Sequence, residues 1–136
     1  NLTWTDGDST FKFEDNQSFT TPFRKLSDKQ ENFSIGYDKG KFDIRLAMNS
    51  RGEYLDWLAD EESDIDKVSL QNSRFVAPHE QWDLKASYEI NDNFRLKFEI
   101  TNIEDRPEYY YWGYNDRLSQ YDEYGTSYAI GFTYNN

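Results

Sequence analysis

The chain contains no cysteine and only one histidine, His79, among its 136 residues. The first absence excludes disulfides, zinc–thiolate sites and thiol nucleophiles. The second excludes multi-histidine metal sites and most histidine-based catalytic dyads. Basic residues are also scarce, since 15 lysines and arginines stand against 26 acidic residues and leave a formal charge of −11. This charge argues against a nucleic-acid partner, because such binding depends on neutralising phosphates.

Long apolar runs are missing as well, and none approaches the ~18 consecutive residues of a transmembrane helix. Aromatic residues nevertheless make up 18% of the chain, and disordered acidic chains are poor in aromatics. The composition fits either a soluble domain with a small aromatic core or a membrane β-barrel, in which only alternate residues face lipid. Because the strand pattern begins at Leu2 with no targeting segment before it, we expect a mature or internal piece of a longer protein.

Alternation of apolar and polar residues is the strongest pattern in the chain. In residues 82–90 the even positions are Trp, Leu, Ala, Tyr and Ile, and Asp, Lys, Ser and Glu lie between them. Because successive side chains of a strand point to opposite faces, such a segment has one apolar and one polar face. The pattern predicts an all-β chain with six strands, at 1–10, 31–38, 41–52, 81–90, 93–102 and 126–134.

The connections between these strands are of two kinds. The turns at 38–40 and 91–93 are short and rich in turn-forming residues. The connections at 11–30, 53–80 and 103–125 are much longer than a hairpin loop. The two kinds alternate, so all the long connections lie at one end of an antiparallel up-and-down meander. Outer-membrane barrels have this asymmetry, with short periplasmic turns and long extracellular loops.

The two faces of each strand allow two opposite orientations. In a transmembrane barrel the apolar face meets lipid and the charged face borders a wet lumen. In a soluble barrel the faces are reversed, and the apolar side chains enclose a small-ligand cavity. Alternation alone does not distinguish the two, although the loop asymmetry favours the membrane. The membrane orientation predicts aromatic girdles from Trp4, Tyr37, Trp82, Tyr88, Tyr128 and Tyr134, and lumen charges from Asp43, Arg45, Asp83, Lys85, Glu89, Arg95, Lys97 and Glu99.

The number of strands points to a larger barrel. Single-chain membrane barrels have at least about eight strands, and an open apolar sheet with two unpaired edges aggregates. We therefore expect the six strands to be one part of a barrel whose other strands lie elsewhere.

Residues 102–107, in the last third of the chain, read N-I-E-D-R-P. They resemble the N-L-x-D-x-P element in the C-terminal region of TonB-dependent outer-membrane receptors. They are followed by a tyrosine cluster at 109–113, then Q-Y-D-E-Y-G at 120–125, and then the final strand at 128–134. This order, together with W-D-L-K-A-S-Y-E-I-N-D-N-F at 82–94, resembles the receptor branch of Xanthomonas- and Caulobacter-type bacteria. The resemblance extends over residues 31–134 and is looser over 1–30.

The resemblance implies a barrel of about 22 strands with an N-terminal plug, in the outer membrane of a Gram-negative bacterium. Such a receptor binds a scarce nutrient and imports it with energy that the TonB complex delivers through an N-terminal box. We expect the plug and the TonB box to be encoded upstream of Asn1, whereas a passive porin or an adhesin would have no plug there. The implied partners are outer-membrane lipid, the rest of the barrel and plug, the TonB complex and the barrel-assembly machinery.

The assembly machinery reads a C-terminal signal that this chain matches in part. The family pattern places a terminal aromatic two residues after another aromatic and five after a glycine. Gly131 and Tyr134 fit, but Asn136 occupies the position of the terminal aromatic. Either the signal is degenerate here, or the end of the chain has been altered.

The dense aromatic patch of the last long connection is the candidate ligand site. Aromatic faces stack on sugar rings and other organic ligands, so an organic nutrient is expected, with carbohydrate favoured over an iron chelate. The alternative is that alternate members of the patch belong to a girdle or pack the base of the loop. The candidate residues are Tyr109, Tyr110, Tyr111, Trp112, Tyr114, Arg117 and Gln120.

The acidic connection after Glu53 has the only pattern that suggests a metal. Asp60, Glu62, Asp64 and Asp66 alternate as Ca²⁺ ligands can, but the turn glycine and terminal glutamate of an EF-hand loop are missing. A solvated acidic loop explains the same residues. No catalytic constellation is present, so we expect neither an enzyme nor a cofactor.

Overall fold

The computed structural model describes residues 2–4, 8–12, 18–59 and 70–135. Within these ranges the chain is built from strands and one short 3-10 turn, Leu70–Asn72. The described residues include no helix of the length and apolarity that crossing a bilayer requires. The strands are β1 (Leu2–Trp4), β2 (Asp8–Lys12), β3 (Ser18–Pro22), β4 (Lys29–Lys39), β5 (Phe42–Arg51), β6 (Tyr54–Trp57), β7 (Arg74–Val76), β8 (His79–Glu89), β9 (Phe94–Thr101), β10 (Glu108–Trp112), β11 (Leu118–Asp122) and β12 (Ser127–Tyr134).

Six of these strands form one antiparallel sheet, which we call the main sheet. Its order is β1-β4-β5-β8-β9-β12, so the prediction of an all-β, antiparallel chain is confirmed. Tight turns join β4 to β5 and β8 to β9. In the second turn, Asn91 Oδ1 accepts hydrogen bonds of 3.0 Å from the backbone N–H groups of Asn93 and Phe94.

The first predicted strand, 1–10, is wrong in its extent. Only Leu2–Trp4 pairs with β4, whereas Asp8–Lys12 pairs with Ser18–Pro22 in a separate hairpin. The hydroxyls of Thr10 and Thr20 lie 3.2 Å apart across that hairpin. The alternation of Leu2 and Trp4 with threonines marked the start of the chain as extended, but it did not reveal that Asp8–Lys12 pairs elsewhere.

The other long connections, at 53–80 and 103–125, contain strands in their described parts. Strands β6, β7, β10 and β11 form a second antiparallel sheet, the loop sheet, with the order β11-β10-β7-β6. Each strand of the loop sheet is next along the chain to one strand of the main sheet: β6 to β5, β7 to β8, β10 to β9 and β11 to β12. The loop sheet therefore repeats the order β5-β8-β9-β12 of the main sheet. The strand pairs β5–β8 and β9–β12, which we call the two ribbons, thus extend beyond the main sheet into the loop sheet. Their Tyr, Trp, Phe and Val residues favour strand structure.

The register of the main sheet gathers the apolar side chains on one side. Residues that lie opposite each other in an antiparallel pair point to the same face, so successive rows form one surface, the apolar face. Two of these rows are Ile35-Leu46-Leu84-Ile100-Tyr128 and Tyr37-Ile44-Ala86-Phe98-Ile130. Thirteen large side chains of this face are 37–77% exposed: Phe33, Ile35, Tyr37, Phe42, Ile44, Tyr88, Phe94, Leu96, Phe98, Tyr128, Ile130, Phe132 and Tyr134.

The opposite side of the main sheet, the charged face, carries ions and small residues. Lys85 and Glu99 lie opposite each other and form an ion pair of 2.6 Å. Glu89 and Arg95 pair in the same way on the same two strands. The predicted separation of charged from apolar residues is therefore present in the structure. The charged face is defined by Asp43, Arg45, Asp83, Lys85, Glu89, Arg95, Lys97 and Glu99.

Among the residues whose burial the structure describes, the apolar core lies at the loop sheet and not in the larger main sheet. Leu55 and Leu58 pack together with Phe75 against them, and Val76 and Tyr111 are also buried. The backbone N–H of Lys25 donates a 2.7 Å hydrogen bond to the carbonyl of Leu55 and so joins the segment before β4 to this core. The loop sheet therefore has a core of its own, whereas the apolar face does not.

Replacing Leu55 by alanine tests this placement of the core. Leu55 is 1% exposed, so we expect Leu55→Ala to lower the free energy of unfolding by about 2–4 kcal/mol through lost burial and a cavity. Leu118→Ala is the matched control in the same sheet, because Leu118 is 56% exposed, and it should cost less than about 0.5 kcal/mol. Equal losses in denaturant titrations of the two variants would contradict the assignment.

Candidate functional site

The N-I-E-D-R-P segment forms the corner between the main sheet and the loop sheet. Asn102 is buried, with a left-handed φ of 57°. Its side chain accepts a 3.0 Å hydrogen bond from the N–H of Arg106 and donates to the carbonyls of Arg106 and Gly125, each at 3.3 Å. Its own N–H donates to Asp83 at 3.0 Å, and its carbonyl accepts from the Thr126 hydroxyl at 2.9 Å. Asn102 therefore fixes the directions in which the chain leaves β9 and enters β12.

A chain of contacts connects the charged face to the loop sheet. Arg51, at the end of β5, donates a 2.7 Å hydrogen bond to Glu108 in β10. The Tyr110 hydroxyl donates to the other oxygen of the Glu108 carboxylate at 3.1 Å. The guanidinium carbon of Arg74 lies 5.3 Å from the centre of the Tyr110 ring, which is a cation–π distance. The guanidinium of Arg51 lies 5.0 Å from the Tyr54 ring.

The protonation states in this chain follow from its hydrogen bonds. Partial burial raises the pKa of the Glu108 carboxyl, but the hydrogen bonds from Arg51 and Tyr110 outweigh it and hold that pKa below its ordinary value. Burial, together with the negative charge of Glu108, raises the pKa of Tyr110 to about 12. Glu108 is therefore ionised and Tyr110 neutral at physiological pH.

A row of three side chains, which we call the aromatic row, lies beside this chain of contacts. The register places Trp57, Arg74 and Trp112 opposite one another on adjacent strands. The indole rings of Trp57 and Trp112 meet edge to face with their centres 5.8 Å apart. Both Nε and Nη2 of Arg74 donate to the Oδ2 oxygen of Asp56. An indole surface and a paired guanidinium–carboxylate group thus lie side by side.

The position of Trp112 depends on the glycine that follows it. Gly113 has a φ of +65°, and a Cβ atom there would lie 2.3 Å from the carbonyl oxygen of Gln71. The N–H of Gly113 donates to the Ser73 carbonyl at 2.9 Å. The end of β10 lies close against the segment that precedes β7. Only glycine permits this approach, because any other residue would place a Cβ atom against the Gln71 carbonyl.

The predicted ligand residues of β10 divide between the two faces of the loop sheet. Tyr110 and Trp112 lie on the face of the aromatic row. Tyr111 is buried on the other face, stacked on Phe75 with ring centres 5.7 Å apart, and its hydroxyl donates to Glu53. The Tyr109 ring lies 6.3 Å from that of Tyr111. Tyr111 therefore packs the loop sheet, which is the alternative that the sequence left open.

The remaining predicted ligand residues lie around β11. Tyr114 is exposed in the turn between β10 and β11. Arg117 donates a 2.9 Å hydrogen bond to the Gln71 carbonyl. Gln120 lies opposite Tyr110 and donates to Asp122 at 2.7 Å. Tyr114 and Arg117 are bonded directly to the aromatic row, since the Trp112 N–H donates to the Arg117 carbonyl at 2.9 Å and the Tyr114 N–H donates to the Trp112 carbonyl at 2.6 Å. A ligand role for Tyr114, Arg117 and Gln120 stays a prediction.

The two residues of the predicted assembly signal both lie in β12. Gly131 is opposite Lys97 and Tyr134 is opposite Phe94. The Tyr134 and Phe94 rings contact each other with centres 4.9 Å apart. Their recognition by an assembly machinery stays a prediction, and Asn136 lies outside the described residues.

The metal candidates Asp60, Glu62, Asp64 and Asp66 lie in 60–69, outside the described residues. The part of the chain that the structure describes contains no cluster of three or more residues suited to hold a metal ion.

Five residues of this site were not singled out by the sequence pattern, namely Arg51, Asp56, Trp57, Arg74 and Glu108. Asp56 was predicted as part of a solvated acidic loop. One feature of the sequence could have indicated them: Arg51 lies just before the acidic segment and Arg74 just after it. Each arginine could pair with a carboxylate that the fold places next to it. Alternation does not say which carboxylate that is.

Comparisons with models of known protein families, with curated proteins and with solved structures found no match.

The hydrogen-bonding role of Asn102 can be separated from its backbone role by two substitutions. Asn102→Gly keeps the left-handed φ accessible and removes the side-chain hydrogen bonds, so it should cost about 1–3 kcal/mol of unfolding free energy. Asn102→Ala should cost about 1–2 kcal/mol more, because alanine disfavours a positive φ. Denaturant titrations measure both. Equal stability of wild type and Asn102→Gly would contradict the hydrogen-bonding role.

The Arg51–Glu108 pair predicts a pH dependence with a definite sign. Because the folded-state pKa of Glu108 lies below its ordinary value of 4.5, its stabilisation is present above pH 4.5 and is lost as the pH falls through the folded-state pKa. We expect Glu108→Gln to lower the free energy of unfolding by about 1 kcal/mol at neutral pH. This lies between the usual contributions of exposed and of buried ion pairs. That difference from wild type should shrink in unfolding titrations below pH 4.5.

Glu104→Gln is the matched control for this prediction. Glu104 pairs with Arg106 at 3.0 Å, but it is more exposed, so its loss should be less than about 0.5 kcal/mol at any pH. A Glu108→Gln variant whose deficit grows at acid pH would contradict the account.

Proposed function

We propose that this chain is the C-terminal barrel segment of a TonB-dependent outer-membrane receptor that imports an organic nutrient. The single observation that carries the proposal is the exposed apolar face of the main sheet, opposite a face rich in ion pairs. Moving a large apolar side chain out of water is favourable by about 1.5–3 kcal/mol of free energy. Monomeric soluble proteins accordingly rarely expose apolar patches larger than a few hundred Å². A lipid environment accounts for thirteen such side chains on one face.

The charged face supports the same orientation. A hollow of about 430 Å³ lies along it, lined by Asp43, Lys85, Ser87, Arg95, Lys97 and Glu99 among others. A second hollow, of about 340 Å³, lies nearer the loop sheet, between Asn32, Asn49 and Gln81. In the proposed barrel these hollows would open to a wet lumen, opposite the apolar exterior.

The height of the apolar band is also appropriate. Residues 82–90 span about 27 Å at the usual rise of ~3.4 Å per residue. At a strand tilt of about 40° this becomes about 21 Å along the membrane normal, near the ~25 Å band of outer-membrane barrels. Two pairs of aromatic rings are in contact at the end of the main sheet that has the short turns. These pairs are Phe42 with Tyr88 and Phe94 with Tyr134. They occupy the position of an aromatic girdle.

The free edges of the main sheet support a larger barrel. Strands β1 and β12 are the first and last strands in the sheet order, and within the described ranges each pairs with a neighbour on one side only. Three side chains of β12, Tyr128, Ile130 and Phe132, are the most exposed of the apolar face, with Phe132 at 77%. In the proposed barrel, further strands of the receptor and lipid cover this edge, and the plug fills the lumen behind the charged face.

The proposed substrate is an organic nutrient, with carbohydrate favoured over an iron chelate. The loop sheet lies at the end of the main sheet that faces outward in an outer-membrane barrel, where ligands arrive. Its face with the aromatic row offers the ring surfaces on which sugars stack.

Detergent dependence tests the membrane orientation against a soluble ligand carrier. We expect the chain to associate into large particles in buffer alone, because the apolar face has no cover in water. In micelles it should give a β-sheet circular dichroism spectrum and a discrete particle in analytical ultracentrifugation. A folded monomer in buffer without detergent would contradict the proposal and favour the soluble barrel.

A further inference from the structure

We propose that the aromatic row and its paired charges form a binding site for a neutral saccharide on the outward part of the loop sheet. The inference rests on the proposed function in that the loop sheet is taken to face the outside of the cell. It goes further in naming the residues, Trp57, Arg74, Asp56 and Trp112, and the charge of the ligand.

Trp57 provides the stacking surface. Its side chain is 44% exposed, although it neighbours the buried core residue Leu58. Trp112 holds it from the side, edge to face at 5.8 Å. An indole fixed by a perpendicular neighbour loses little conformational freedom when a ligand stacks on it, and that lowers the cost of binding. The C–H faces of a pyranose ring are apolar and fit such a surface.

The Arg74–Asp56 pair provides directed hydrogen bonds next to this surface. Arg74 donates through Nε and Nη2 to the Oδ2 oxygen of Asp56, so its Nη1 group and the Asp56 Oδ1 oxygen take no part in the pair. This leaves one donor on Arg74 and one acceptor on Asp56 for the hydroxyls of a sugar, each of which donates and accepts. Bonds to charged groups are the stronger ones.

The charges of the site select a neutral ligand. Arg74 is paired with Asp56 and Arg51 with Glu108, so neither arginine of the site offers an uncompensated positive charge. The whole chain carries a formal charge of −11, which repels anions from a distance. Ferric chelates of carboxylate ligands and acidic sugars are anionic, and the site is therefore predicted to discriminate against both.

The site can extend toward the charged face. The Tyr110 ring lies under the Arg74 guanidinium, and its hydroxyl is bound to Glu108. A longer saccharide stacked on Trp57 would reach this ring next. Glu108 in turn binds Arg51, which lines the hollow of about 340 Å³, so this direction is the direction of import in the proposed receptor.

Calorimetric titration of the chain folded in micelles tests the proposal. The neutral probes are maltohexaose and cellohexaose, and the anionic probes are trigalacturonate and ferric citrate. We expect at least one neutral probe to bind with a Kd below about 1 mM, and neither anionic probe to bind as tightly. Trp57→Ala should weaken binding by about tenfold or more, and Asp56→Asn should weaken it through the lost acceptor charge.

Tyr124→Ala is the matched control, because Tyr124 is an exposed aromatic residue, 68% accessible, that lies outside the aromatic row. Its binding should equal that of wild type, and the spectra of all variants should match. Three results would overturn the proposal: tighter binding of an anionic probe, equal effects of Trp57→Ala and Tyr124→Ala, or no saccharide binding by a chain that folds in micelles. The last result would leave the receptor proposal standing, whereas a folded monomer in buffer alone would overturn the receptor proposal itself.

Discussion

The register of the main sheet is the constraint on which the rest of the structure depends. A shift of one residue between two strands would move every apolar side chain of one strand to the charged face. The observed pairing avoids this across the sheet, as the row Tyr37-Ile44-Ala86-Phe98-Ile130 shows. The ion pairs Lys85–Glu99 and Glu89–Arg95 lie in the same register on the opposite side. One set of backbone hydrogen bonds therefore defines both surfaces.

The loop sheet has the same strand order as the main sheet. Its strands continue the ribbons β5–β8 and β9–β12 in the same order, and the Asn102 corner sets the angle at which one ribbon continues. The Arg51–Glu108 pair then bonds the end of β5 to β10. The loop sheet has the buried core, whereas the main sheet has an exposed apolar face. In the proposed receptor, the loop sheet would meet ligand in water above a main sheet that lies in lipid.

The sequence predicted the parts of the fold that repeat every two residues. The five later strands of the main sheet, their turns and the division of their faces agree with the structure, because alternation over eight or more residues reports directly on a pleated strand. The strands of the loop sheet are only three to five residues long, and register shifts interrupt two of its pairings, so no sustained period marks them. The extent of the first predicted strand was wrong because the alternation covers only residues 2–5, whereas Asp8–Lys12 pairs with Ser18–Pro22.

The candidate site was predicted only in part, for a related reason. The tyrosine cluster was visible as composition, and Tyr110 and Trp112 do lie beside the aromatic row. The contacts that organise the site join residues distant in the chain, such as Arg51 with Glu108 and Trp57 with Trp112, and short-range patterns do not encode such pairings. The burial of Tyr111 follows from its stacking on Phe75, which likewise depends on a long-range pairing.

The central claim is that the apolar face lies in hydrocarbon and the charged face in water. Spin labels at single cysteines test it most directly, since the chain has no cysteine of its own. Ile130→Cys reports on the apolar face and Lys97→Cys on the charged face. In lipid vesicles the account predicts that oxygen, which dissolves in hydrocarbon, relaxes the first label, and that a water-soluble nickel chelate relaxes the second. A label at position 130 that the nickel chelate relaxes as strongly as the label at 97, or that neither reagent reaches, would contradict the account.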